Sequence, residues 1–260
     1  MIRNQEVYRL PGVATAYAQM CDLFPPEQTI LGLISPELQT ARMLDLGVGG
    51  GRTTLHFARC VREYVGADYS ESMVRECQRR FATDPVPLSF VVCDARSLHM
   101  FARASFDFIL FSFNGIDSVN HSDRLAILRE IRRVGKPGGW FCFSTHNLNF
   151  CAQLFELRRI ISLNPRFAKR TARQLLLRFV YNWRVRTATL RRSPYMMIND
   201  GSHSRQLLMY YIRPHEQLRQ LSENFRDIRV FSSLTGSEVQ HSELPNVQDS
   251  WLYYLCRIGS

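Results

Sequence analysis

Residues 43–54 read MLDLGVGGGRTT, and no other stretch of the chain restricts its fold as strongly. Four of the five residues 47–51 are glycine. Glycine loses more conformational entropy on folding than any other residue, so such a cluster implies positive φ angles or the close approach of another group to the backbone. The apolar run RMLDL precedes the cluster and the helical pattern TTLHFARC follows it, so the local reading is strand, tight turn, helix.

The same alternation continues along the chain. EYVGAD, LSFVVCDA, FDFILFSFN and GGWFCFSTHN read as further short strands, the last one reached through a KPGG turn. SESMVRECQRRFA, with Ser70 placed to cap it, and SDRLAILREIRRV read as the intervening helices. Residues 1–40 form a helical lead-in, through VATAYAQMCDLF and EQTILGLI. Strands alternating with helices at this spacing predict an α/β fold, a mostly parallel sheet with helices on both faces.

After Asn149 the pattern breaks. Residues 150–192 read as two or three Arg-rich helices, and YMMIND and RQLLMYYI as a strand pair around the DGSHS turn. PHEQLRQLSENF is a helix with Pro214 in its first turn, and DIRVFSS and SWLYYLCRI are closing strands, the last antiparallel to its neighbours. Residues 1–149 are thus expected to hold the lead-in and ligand-binding half, 150–208 a basic insert or lid, and 209–260 the closing helix and last two strands.

In an open parallel sheet the ligand lies at the carboxyl ends of the strands, against the first strand-to-helix turn. A dinucleotide fingerprint needs a third glycine where this chain has Arg52. Instead Asp45 stands two residues before Gly47, with Gly49 and Gly51 following. A carboxylate there faces a diphosphate badly and suits an ammonium group, through charge-assisted hydrogen bonds. Asp68 ends the second strand, where an acid accepts both ribose hydroxyls, and Asp94 ends the third, within reach of an adenine amino group. The ligand read from these residues is an amino-acid-bearing nucleoside. A cap or turn role is the bland reading of each acid taken singly.

With those residues in view, the sequence resembles the class I S-adenosylmethionine-dependent methyltransferases. LDLGVGGGRTT is similar to the family's first motif, GADYSESMV to its second, CDARSL to its third, FDFILFSFNGID to its fourth and LREIRRVGKPGGWFCFST to its fifth. The resemblance covers residues 40–148 well and 214–258 loosely. It implies a seven-stranded sheet with a reversed last strand, and S-adenosylmethionine as cofactor with S-adenosylhomocysteine as product. By it Asp45 and the glycines meet the methionine end, Asp68 the ribose, Tyr69 and Met73 the adenine faces, and Asp94 and Ala95 the adenine edge. Phe111, in the fourth motif, joins the cofactor set. Tyr17 is similar to a residue that closes over the cofactor carboxylate, with a core tyrosine as its alternative. Gly135 departs from the family, which has an apolar residue before KPGG, and is expected to loosen the end of its helix.

A methyl sulfonium is already reactive, so the enzyme mainly aligns the acceptor, and a base is needed only for some acceptors. His146 at the end of the fifth strand, Asn114 after the fourth and His203 in the DGSHS turn are the candidates, with His121 behind them. Tyr195, Tyr210 and Tyr211 with Met196, Met197 and Met209 line an acceptor pocket or pack a core.

The net charge is +10, and it is local: residues 157–192 hold eleven Lys and Arg, no acid stands between Glu156 and Asp200, and the rest of the chain has 22 basic against 23 acidic residues. The leading expectation is a methyltransferase acting on a small, anionic or phosphate-bearing acceptor. An RNA methyltransferase using the basic segment on phosphates is not favoured, because no RNA-binding module, N-P-P-Y-like motif or catalytic cysteine pair accompanies it. A third reading is a non-catalytic cofactor-binding or membrane-surface protein, its basic helices lying on anionic lipid. No apolar run of signal-peptide or membrane-spanning length stands out, and the seven scattered cysteines pair in no motif, so a soluble cytoplasmic protein with reduced thiols is expected.

Overall fold

The computed structural model describes residues 12–84, 86–154, 171–172, 175–201 and 207–259. Strands β1 (Arg42–Leu46), β2 (Glu63–Asp68), β3 (Leu88–Val92), β4 (Phe106–Phe111) and β5 (Gly135–Asn147) pair in parallel in the order β3-β2-β1-β4-β5. The remaining strands are β6 (Tyr195–Ile198), β7 (Met209–Ile212), β8 (Phe225–Ser232), β9 (Glu238–Val239) and β10 (Trp251–Ile258). β10 lies between β5 and β8 and runs antiparallel to both.

Those strands give the expected seven with a reversed last member. Among the described residues the sheet holds ten, because β9 adds to the β8 edge and β6 and β7 form a further hairpin. The hairpin attaches because β5 is long: His146 and Asn147, at its carboxyl end, pair in parallel with Tyr211 and Ile212. It straddles the expected boundary at residue 208.

Alternation along each strand divides two cores. Leu44, Leu46, Ile109 and Phe111 face one, which is covered by Ile127, Leu128 and Ile131 of a helix over His121–Val134. Met43, Phe108 and Leu110 face the other, against Ile30, Ile34 and Leu38 of a helix over Pro25–Leu38. The insert has a small core of its own, in which Leu148, Cys151 and Leu190 meet Ile198, Leu207, Met209 and Tyr211. Met209, Tyr210 and Tyr211 are buried, whereas Tyr195, Met196 and Met197 are half-buried.

Some expectations shift at the ends of elements. The helix after the glycines is one α turn, Thr54–Phe57, followed by a 3-10 turn over Ala58–Cys60. Ser70 occupies the cap position of the Glu71–Arg80 helix, but its side chain makes no capping hydrogen bond and meets the Ser72 hydroxyl at 2.9 Å. Gly135 does not loosen its helix: a side chain there would stand 2.2 Å from Ile258 Cδ1, so glycine lets the helix end close on the last strand.

Candidate functional site

Gly47, Gly49 and Gly51 all have positive φ (65°, 55° and 80°), which explains three of the four glycines by backbone conformation. The fourth is explained by packing. A Cβ on Gly50 would lie 2.3 Å from the Ala18 nitrogen, because the short helix Val13–Ala18 rests directly on the turn. What lies against the glycine turn is first of all the chain's own lead-in.

Beside the turn, at the carboxyl ends of β1, β2 and β4, opens a cleft of about 1120 Å³ including its mouth. Tyr17, Asp45, Gly47, Gly49, Asp68, Tyr69, Met73, Asp94, Ala95 and Phe111 line it, which brings together ten of the eleven residues expected to hold the cofactor. Gly51 is the exception, since it turns to Phe81 and Cys77 of the Glu71–Arg80 helix. Its role is to let that helix approach.

The acids at the strand ends differ in state. Asp45 is buried, and its Oδ2 accepts from Thr53 Oγ1 at 2.5 Å and Tyr64 Oη at 2.6 Å. Its Oδ1 accepts nothing among the described residues. Burial pushes the Asp45 pKa up to about 6 against those hydrogen bonds. Asp68 accepts the backbone N–H of Ser70 at 2.8 Å and of Gly49 at 3.1 Å, and burial lifts it likewise to about 6. A desolvated carboxylate with an oxygen to spare is the environment that a cationic ammonium relieves. Asp94 is different: Arg96 holds both its oxygens, with Nη2–Oδ2 at 2.6 Å, and although burial opposes it these bonds keep the carboxyl below its usual range. An adenine amino group would share this carboxylate with Arg96, a partner that sequence reasoning did not supply.

In the sequence Arg52 stands only where a dinucleotide fingerprint has its third glycine. It is buried and forked onto Glu27, at 2.5 and 2.7 Å, and stacks on Phe24 at 4.4 Å. Glu27 Oε1 also takes the hydroxyls of Ser112 and Tyr253, so one buried carboxylate ties the lead-in helix to β4 and β10. No local pattern marks a partner 25 residues away.

The second missed group is Asp117, wholly buried in a 3-10 turn over Gly115–Ser118. Its Oδ1 accepts Arg124 Nη1 at 2.5 Å and Thr145 Oγ1 at 2.7 Å, and its Oδ2 accepts both the backbone N–H and Nδ1 of His146 at 2.7 Å. A carboxylate only accepts, so Nδ1 carries a proton, and in the neutral ring Nε2 then carries the lone pair. Asn114 Nδ2 lies 3.4 Å from that Nε2, which brings two of the three catalytic candidates together. Both lie just behind the cleft wall, to which Phe113 and Gly115 contribute. Phe113 and Asn114 have φ of 52° and 58°, consecutive left-handed conformations that a phenylalanine adopts only when its surroundings enforce it. Asn114 Oδ1 is buried with no partner among the described residues. His203 lies outside the described residues, as do the basic positions from Arg158 to Arg173. His121 stacks on Tyr195 at 4.0 Å and bonds Tyr210 through Nδ1 at 2.8 Å, while burial lowers its pKa. It belongs to the packing of the hairpin.

Residues 43–139 match the family model described as a methyltransferase domain. This stretch is a methyltransferase domain. It is 32% identical over 136 residues to a ubiquinone/menaquinone biosynthesis C-methyltransferase of Burkholderia vietnamiensis, covering 49% of this chain and 54% of that protein. The match to the Burkholderia mallei counterpart, 35% identical, covers 38% of this chain and 40% of that one. The chain therefore matches about half, or less, of the length of these relatives. The fold extends further: the PH0226 protein of Pyrococcus horikoshii superposes over 97% of this chain and 98% of its own with a TM-score of 0.58 at 18% identity. The 1,6-didemethyltoxoflavin-N1-methyltransferase of Burkholderia thailandensis does so over 91% and 79%, with a TM-score of 0.55 at 17% identity. No helix among the described residues is long and apolar enough to cross a membrane.

The methyltransferase cofactor fits the residues present. The first acid lining the cleft is buried with a spare oxygen, the second follows at the end of β2, and two positive-φ glycines, Gly47 and Gly49, line the turn between them.

Proposed function

We propose that the chain methylates a small-molecule acceptor that loses a proton as it accepts the methyl, and that His146 takes that proton. The observation that carries this reading is the Asp117–His146 pair. A buried carboxylate fixes the ring through Nδ1, so the lone pair on Nε2 is held in one direction, toward Asn114 Nδ2, whose amide gives way when an acceptor presents its proton, and the same carboxylate stabilises the imidazolium formed when Nε2 is protonated. Arg124, itself fully buried, balances the charge of Asp117 from the other side.

When bound, S-adenosylmethionine supplies a methyl on a cationic sulfur, which leaves as a neutral thioether as the acceptor atom bonds to the carbon. Asp45 would hold its ammonium, Asp68 its ribose, and Tyr69 and Met73 its base. Asn114, strained and with an unsatisfied Oδ1, is suited to fix an acceptor N–H or O–H beside His146. The acceptor is anionic in this reading. Supporting this, Arg191, Arg192, Arg213, His215 and His241 line a second cavity, which Asn149 joins to the end of β5.

Labelled cofactor incubated with extract fractions, followed by mass spectrometry, identifies the acceptor. His146→Ala should then lower turnover by about a hundredfold or more while cofactor affinity stays unchanged. Wild-type turnover in a folded His146→Ala protein refutes the assignment.

A further inference from the structure

We propose that the turn spanning Arg178–Arg186 is a docking site for an anionic lipid surface, an inference that stands apart from the catalytic reading above. Eight large apolar side chains are exposed among the described residues, and four of them, Phe179, Val180, Tyr181 and Trp183, fall within five positions. Trp183 is 65% exposed. Isolated exposed apolar side chains need no explanation, whereas a contiguous group does. The other four, Leu33, Val92, Met100 and Leu234, are scattered.

The charges around the group choose its occupant. Arg184 lies over the Trp183 ring at 4.9 Å and Arg178 over Phe179 at 5.6 Å. Among the described residues Arg184, Arg186 and Arg192 form no ion pair, and the sequence places no acid between Glu156 and Asp200. Aromatic rings interleaved with unbalanced arginines match the boundary of a bilayer, with rings at the headgroup level and guanidinium groups on lipid phosphates. A protein partner would need carboxylates to match the arginines and a cavity to receive the rings. An anionic bilayer supplies phosphate charge for the arginines and an apolar layer for the rings, with no shape to match.

The patch is also fastened to the side of the molecule that carries His146. Asn182, in the middle of the turn and 3% exposed, donates to Asn199 O at 2.8 Å and accepts from Asn199 N at 3.0 Å. Asn199 follows β6, and the opposite strand of that hairpin carries Tyr211, whose ring packs on His146 at 4.6 Å. Tyr211 Oη reaches Asp200, the next residue, at 3.1 Å. A surface docked on Trp183 is thereby held by the same hairpin that walls the candidate base.

The test uses the full chain with S-adenosylhomocysteine present, pelleted with vesicles of phosphatidylcholine containing about 30% phosphatidylglycerol, or of phosphatidylcholine alone. Retention on the anionic vesicles, released by salt, is expected, with a blue shift of tryptophan emission that Trp183→Phe removes. The pair Phe179→Ser and Trp183→Ser should weaken binding about tenfold or more. Each of Arg184→Glu and Arg186→Glu should weaken it about fivefold or more. No retention at low salt overturns the proposal, and so does equal retention of all variants, or retention on RNA but not on vesicles. Thermal stabilisation by S-adenosylhomocysteine, read on the same samples, shows that each variant is folded. Its absence from the wild type would count against the cofactor site and leave the vesicle result standing.

Discussion

Asp45 shows how one buried residue couples folding to ligand binding. Its pKa of about 6 in the folded chain lies above the ordinary 3.8, so between those values the folded state binds more protons than the unfolded one. Stability from this group therefore falls as pH rises through that window, and above about pH 6 burial of the ionised carboxylate is a fixed cost. Asp45→Asn keeps an oxygen for Thr53 and Tyr64 but removes the charge. The ligand-free variant should melt above the wild type at pH 8, and the gap should close as pH falls below about 5. Cofactor affinity should run the other way, falling in the wild type as the pH drops through 6 and the carboxylate loses its charge. Differential melts and calorimetry across pH 5–8 check both signs; a wild type that binds equally at pH 5 and pH 8 would remove Asp45 and Asp68 from ammonium and ribose recognition.

At the scale of elements, the glycine turn predicts its own sensitivity. Gly50→Ala drives a methyl against the backbone of Tyr17 and Ala18, which has no side chain to move aside, so the helix Val13–Ala18 must lift. Overpacking of this kind costs about 1–3 kcal/mol. Gly138→Ala, at φ 78° in open space, should cost only the left-handed backbone penalty, about 1 kcal/mol. Denaturant midpoints that rank Gly138→Ala below Gly50→Ala would contradict the packing of the lead-in helix. The strands and the Asp45–Asp68 frame were legible because their causes are local: apolar runs of strand length, glycines at a turn, acids at strand ends. Three things were not. Glu27 binds Arg52 across 25 residues, Asp117 meets His146 across 29, and Ile258 occupies the space that Gly135 leaves. Each is a tertiary contact between segments whose own sequences show only a helix, a turn or a helix end.

Over the whole molecule, the cleft draws its lining from Tyr17 to Ile127, so one bound ligand bridges the lead-in helix, the glycine turn, the ends of β1, β2 and β4 and the Asp94–Arg96 loop. Binding to the folded chain alone stabilises it by about 2.7 kcal/mol when ligand stands at a hundred times its dissociation constant. For a chain of this length, 2–4 °C per kcal/mol converts that to a rise of about 5–10 °C in Tm. S-adenosylhomocysteine should produce this rise and protect the Tyr17 segment from proteolysis, because the helix that rests on Gly50 is also one wall of the site. NAD should do neither: its diphosphate would meet the buried Asp45 carboxylate at the turn, and the arginines beside that turn are engaged, Arg52 on Glu27 and Arg80 on the Gly50 carbonyl. A shift of the same size with NAD would show that the turn binds phosphate after all, and the assignment of Asp45 to an ammonium would fall.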